Sequence, residues 1–509
     1  MKAILLSALL IMSIRSWSQK DSMDTTILNA IRREGFDHSQ VMEIAFQLTD
    51  VAGPRVTNSP GYARAAQYAI NTFESWGLKK IQRDSFYFGT SWSLEKSYLA
   101  MKTPYYRPIY GFPKVWTNGT NGLTTAPAFL INVDYRSDLE KYKGKLRGKM
   151  LLIDGDVTYR PTFKADAKRF SKSELEDLEG AVREQKHRIK NVLQIEKPKA
   201  GTAVDGGSVI SALKRMAVRE GAAGMLTFNP SSHDGTIVAG GFGFMRDPTS
   251  KAVPEFGIPL EDYYSTVRLL RSGIPVSFDL DLRVKIDTTN LYAFNVIAEL
   301  EGEDPVLKQE VVMLGAHLDS WQAATGATDN ASGVAVIMEA MRIIKTLNIH
   351  PKRTIRIALW SGEEQGMLGS EHYVRKTFFD AKTGRQLKAY NEFSAYYNHD
   401  LGSGKIRGIY LKGNDSARQV FTSWFKPFSD FGAATVSMED IGSTDHSAFT
   451  KYGLPGFQFI QDPLDYWTRT HHTNVDSYDH LMPEDLKTNA VIMASFVYLT
   501  AMRDKKIPR

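Results

Sequence analysis

Six side chains able to bind a divalent cation stand just beyond apolar runs of this sequence: His317, Asp329, Glu363, Glu364, Asp400 and His472. Imidazole nitrogen and carboxylate oxygen are ordinary zinc ligands. Two such ions about 3.5–4 Å apart clamp both a nucleophile and a substrate oxygen in hydrolytic enzymes. That pair requires a bridging carboxylate, two further ligands for each ion and an unliganded carboxylate as base, and the six residues supply this inventory. Taken singly, a His or Asp after a strand is more often a cap or a surface group. Six of them after successive strands make a metal site the leading reading.

The elements that must position them follow an α/β rhythm. Glu310–Gly333 (EVVMLGAHLDSWQAATGATDNASG) reads as a buried strand, then His317 and Asp319, a small-residue loop, and Asp329 leading into a helix. His317 and Asp319 are two apart, so on a continuing strand they share a face. Strand 354–360 leads to SGEEQGMLGS, strand 393–398 to His399-Asp400, strand 434–436 to GSTDHSAF, and strand 457–460 to a loop containing HHTNVD. A helix over 331–347 places Val334, Ile337, Met341 and Ile344 on one face, a helix is read over 416–428, and a closing helix spans 483–502. Short connections predict a mixed, mostly parallel sheet with helices on both faces, its ligands at the strand ends.

The start of the chain reads as a signal peptide over 1–18, with Lys2, an apolar stretch and Ser16-Trp17-Ser18 as the cleavage site. No other segment has about 18 uninterrupted apolar residues, so the expectation is a secreted or periplasmic protein without a membrane span. Lacking cysteine, the chain has no disulfides, so its core and bound metal must stabilise it. Hydrophobic content of 42% is globular, and a net charge of +6 spread over 509 residues, with Lys and Arg interleaved among Asp and Glu as in 172–190, argues against a nucleic-acid partner. Residues 19–109 and 286–509 are assigned to the catalytic domain. Residues 110–285 change character to strands with charged helices; His233-Asp234 is a lone pair there and no catalytic constellation is visible.

HLDSW, ATDNASG, SGEEQGMLGS and HHTNVD together resemble the zinc exopeptidase family of bacterial leucyl aminopeptidases, aminopeptidase Y, carboxypeptidase Q and glutamate carboxypeptidase, over about 24–89 and 290–502. KLRGKMLLIDG and GAAGMLTFN in the intervening stretch resemble an inserted protease-associated domain. The resemblance implies two Zn2+ ions: Asp329 bridging, His317 and Asp400 on one, Glu364 and His472 on the other. It implies Glu363 as general base and Asp319 as the residue orienting His317, and a cis peptide after Asp329. The site would hydrolyse the amino-terminal residue from a peptide or dipeptide. Carboxypeptidase or dipeptidase action, a glutaminyl-cyclase-like acyl transfer and a non-catalytic ectodomain stay as alternatives. His399 could compete with Asp400, the doublet His471-His472 rests on its HT pairing, and Arg469 is the nameable candidate for gripping a substrate carboxylate. The oligomeric state is left open.

Overall fold

A computed structural model describes residues 23–155, 163–181, 206–230, 232, 234–241, 249 and 251–509. The expected signal segment 1–18, His233 and residues 182–190 of the charged run lie outside the described residues. In chain order the strands are β1 Lys79–Tyr87, β2 Ser91–Thr103, β3 Arg107–Pro108, β4 Phe112–Pro113, β5 Thr124–Ile131, β6 Met150–Ile153, β7 Gly224–Thr227, β8 Glu255–Gly257 and β9 Ser277–Asp287. They continue as β10 Tyr292–Leu300, β11 Val311–His317, β12 Thr354–Trp360, β13 Phe393–Asn398, β14 Ile406–Tyr410, β15 Thr435–Ser437 and β16 Gly456–Gln461.

The first sheet has the order β1-β10-β12-β11-β13-β16-β14-β15. Its central pairs β12/β11, β11/β13 and β13/β16 are parallel, while β1/β10, β10/β12 and β14/β16 are antiparallel. The run VVMLGAH of β11 is almost wholly buried, as a strand covered on both faces must be. One face carries the helices Ser332–Thr346 and Pro483–Met502 with the amino-terminal helices Thr25–Asp37 and Val41–Phe46. The other carries Leu368–Phe378, Lys388–Glu392 and His446–Thr450.

Helix Ser332–Thr346 is buried all round instead of along one apolar stripe, because Pro483–Met502 and the amino-terminal helices cover its outer side. Two charged residues on it are buried in consequence. Glu339 accepts two 2.8 Å hydrogen bonds from Arg342, which also reaches Glu34 at 2.6 Å, so neither charge is left alone. The helix expected over 416–428 is broken: an α-helix Arg418–Phe425 passes into a 3-10 turn Lys426–Phe431 containing Pro427. Proline lacks the N–H that would continue the ladder.

The second sheet has the order β3-β2-β9-β5-β6-β7-β8-β4. Its outermost strands β3 and β4 are four residues apart in the chain, a span of at most about 14 Å. Eight strands laid flat would hold them roughly 34 Å apart. The sheet therefore curls. Strand β5 makes the bend, pairing β9 through Thr124–Pro127 and β6 through Ala128–Ile131. The expected start of the β-rich part at residue 110 is corrected by this topology: Ser91–Thr103 pairs along its length with Ser277–Asp287, so the second sheet begins at β2. Chain leaves and rejoins the first sheet at one place, since Tyr87 ending β1 faces Tyr292 opening β10.

Candidate metal centre

Strands β12, β11, β13 and β16 are consecutive parallel neighbours, so their carboxyl ends lie side by side. That edge is where an open α/β sheet places a ligand. His317 is the last residue of β11; Glu363 and Glu364 follow β12, Asp400 follows β13, and His472 lies in the loop after β16. Asp329 enters from the turn Ala327–Ala331, and its bond to Asn330 is cis. Four residues on, Gly333 lets the helix approach the end of β13: a Cβ there would clash with the His399 carbonyl.

The side chains converge on Asp329. Its Oδ1 is 3.2 Å from His317 Nε2, which is 3.3 Å from Asp400 Oδ1. Its Oδ2 is 3.2 Å from His472 Nε2, which is 2.9 Å from Glu364 Oε2. His471 stands farther off, 4.0 Å from Asp329 Oδ2, with its ring stacked on His472 at 3.8 Å. His399 is buried in neither cluster; its carbonyl accepts from Asn330 Nδ2 at 2.9 Å.

These residues fit a cation. The buried oxygens Asp329 Oδ2, Asp400 Oδ1 and Glu364 Oε1 have no hydrogen-bond partner among the described residues. Buried acceptors left this way cost stability unless something satisfies them. Burial alone would lower His317 and His472, yet Asp400 and Asp329 beside the first, and Glu364 and Asp329 beside the second, hold both imidazoles well above their ordinary value. Burial, with Asp329 close by, pushes Glu364 up to about 7. Too many carboxylates share too little space for protein charge to neutralise them.

Supporting residues hold this cluster. His317 Nδ1 lies 2.9 Å from the main-chain oxygen of Asp319, whereas the Asp319 carboxylate is 3.8 Å away. The Asp319 side chain instead accepts from Thr57 Oγ1 at 3.0 Å and from the amides of Glu363 and Glu364 at 3.3 Å each. Asp319 thus orients His317 through its backbone, and its carboxylate fixes the Glu363-Glu364 turn. Asp476, the last residue of HHTNVD, accepts from Thr328 N at 2.6 Å and Asp329 N at 3.1 Å. Fully buried Arg55 donates to the carbonyls of Leu318 at 2.7 Å and Gly326 at 2.8 Å, spanning the loop between His317 and Asp329. Sequence reading gave neither Asp476 nor Arg55 a role; Asp476 at least sat in a singled-out motif, while Arg55 acts across more than 260 residues of chain. Arg469 is occupied by Asp166, at 2.7 and 2.8 Å.

The sequence profile described as peptidase family M28 matches residues 295–497. Carboxypeptidase Q of Mus musculus is 24% identical over 468 residues, covering 91% of this chain and 86% of that protein. With carboxypeptidase Q of other vertebrates the match spans about half of their length, 52%. Among solved structures, a peptidase M28 precursor from Shewanella amazonensis superposes with a TM-score of 0.68 at 24% identity, covering 96% of this chain and 99% of that one. A zinc aminopeptidase from Bacillus subtilis does so with a TM-score of 0.57 at 20% identity, covering 92% and 96%. No helix among the described residues is long and apolar enough to cross a membrane.

Proposed function

From the premise that the chain belongs, through residues 295–497, to peptidase family M28, we propose that it is a secreted two-zinc aminopeptidase releasing the amino-terminal residue of peptides or dipeptides. The observation that carries this reading is the two-sided Asp329, with one oxygen 3.2 Å from His317 and the other 3.2 Å from His472. His317, Asp329 and Asp400 would hold one ion, and Asp329, Glu364 and His472 the other. Zinc bound there would lower the pKa of a water and polarise the scissile carbonyl.

Glu363 is left without a ligand duty beside these residues. Burial first, then the Asp400, Asp445 and Glu364 carboxylates, push it well above the usual carboxylate range; divalent charge among those carboxylates would pull it back down. A base near neutrality can take a proton from the attacking water and return it to the leaving amine. The Glu363-Glu364 pair also offers acceptors to a free α-amine, which an acylated nitrogen cannot match. The candidate cation for a substrate carboxylate, Arg469, is engaged by Asp166, which supports amino-terminal action. Carboxypeptidase or dipeptidase action is the second reading, favoured by the alignment with a carboxypeptidase Q across 91% of the chain. The second sheet, which we read as a protease-associated domain, would wall one side of the substrate entrance.

Leucine anilide, its N-acetyl form and a γ-glutamyl substrate compared on the purified protein test the direction of attack. Faster cleavage of either blocked substrate overturns the aminopeptidase reading. A count of one zinc per chain would favour a cyclase-type enzyme, and none a binding ectodomain.

A further inference from the structure

The two imidazoles at the centre are held differently. His317 ends a central strand, so the first sheet fixes its backbone. His472 lies eleven residues beyond the end of β16, with its backbone in the left-handed region at φ 59°. No strand of the first sheet supports it. Much of what does support it comes from the second-sheet part of the chain. The Ala239 amide donates to the His472 carbonyl at 2.7 Å, and the Asn474 amide to the Ile237 carbonyl at 3.1 Å. Val238 and Thr473 form an antiparallel bridge, and Asn474 Oδ1 accepts from the Ile237 amide at 2.7 Å. The ring itself lies against Gly240, where a Cβ would fall 3.3 Å from His472 Nδ1 and 3.6 Å from its Cβ. On another side His471 stacks at 3.8 Å.

We infer that segment 236–241 is part of the metal centre: it positions His472, and Gly240 and Asn474 are positioning residues for the ion that His472 would bind. This rests on the reading of His472 as a ligand. A ligand displaced by a few tenths of an ångström cannot keep metal geometry, and partners that orient ligands are worth roughly 10–100-fold in metal affinity. Gly240 has an ordinary backbone conformation, so a side chain there strains the contact with His472 and not its own main chain. The segment thereby ties the ion at His472 directly to the second-sheet part of the chain, whereas His317 and Asp400 stand at the ends of first-sheet strands.

Zinc titration of the full chain against a chromophoric chelator tests this, with the wild type expected to hold two ions. H472A should lose one of them. G240V should weaken one ion about tenfold or more and leave the other within about twofold, without lowering the melting temperature of the metal-free protein. N474A should act in the same direction, more weakly, and decides the matter if G240V does not fold. Loss of one ion in H472A together with unchanged affinities in G240V and N474A overturns the inference while the ligand reading stands. Two ions retained in H472A would overturn the ligand reading, and the inference with it.

Discussion

Replacing Arg55 is the most direct way to loosen the metal centre without touching a ligand. Its guanidinium is fully buried and donates to four main-chain carbonyls, those of Leu48, Leu318, Thr325 and Gly326. Burial pulls it down, to about 10, so it is still charged at neutral pH. A hydrogen bond to a charged group is worth about 1.5–3 kcal/mol, so the gross loss in Arg55→Met exceeds the stability of many domains. Much of that was already offset by burying the cation, but the variant leaves buried carbonyls unpaired at about 1–3 kcal/mol each, for a net cost of about 3–5 kcal/mol. Concentrated on the loop 318–326, that cost shifts its opening equilibrium by roughly 150- to 5,000-fold. Amide exchange at Ser320, Ala327 and Thr328 should speed up accordingly, since these amides bond to Arg55 O, Asp476 O and the Asp476 carboxylate. Zinc content should fall with it. Arg55→Lys should lie between, because an ammonium keeps the charge without the fork that spans the carbonyls. Unchanged exchange over 318–331 in Arg55→Met, with full zinc content, would refute the claim that Arg55 organises this loop.

Glu363→Gln should keep zinc and lose about 10²- to 10⁴-fold in kcat, because an amide cannot accept the proton; wild-type turnover would remove Glu363 as base. Asp329→Asn should bind zinc more weakly at both positions, read by the same chelator competition, since both its oxygens face an imidazole. Chelation should lower the melting temperature and zinc restore it, by about 4 kcal/mol when free zinc is 1,000-fold above Kd; coincident melts with and without chelator would exclude a stabilising site. The 2.7 Å contact with Asp465 raises His480, so the stabilisation it gives is complete below about pH 6.5 and is lost as pH rises through the raised value. His480→Asn should therefore lower the melting temperature at pH 5.5 and much less at pH 9, and an equal effect at both would show the pair to be inert.

Most of the first sheet was legible because its strands are short apolar runs punctuated by Gly, Asp and His. Tyr292–Leu300, Thr354–Trp360 and Phe393–Asn398 fall where their side-chain patterns put them. The candidates His317, Glu363, Glu364 and Asp400 were legible for the same reason, since each ends or closely follows such a run. The resemblance implied that Asp319 orients His317; that the contact is made by its main-chain carbonyl, because the chain turns after β11, is not a thing spacing can tell. Helix Ser332–Thr346 misled because an apolar stripe says which side is greasy, not that other helices will cover the charged side as well. The start of the second sheet was placed late because SWSLEKSYLAMKT carries four exposed positions in succession, so its partner β9, more than 170 residues away, is invisible to local pattern. Arg55 has no local signal at all.

Tyr87 opposite Tyr292 has a mechanical consequence. Both chain crossings between the sheets pass through one point, which acts as a pivot: it forbids the second sheet to slide away and by itself leaves it free to swing. The swing is stopped farther out. Arg169 is pinned between Asp462 at 2.9 Å and Asp485 at 2.7 Å, and residues 237–239 grip the chain at 472–474. Part of any torque that turns one sheet against the other is therefore carried to the loop between Asp462 and Asn474, which holds His472. Zinc held by His472 would stiffen that loop, and with it one of the contacts that stop the swing.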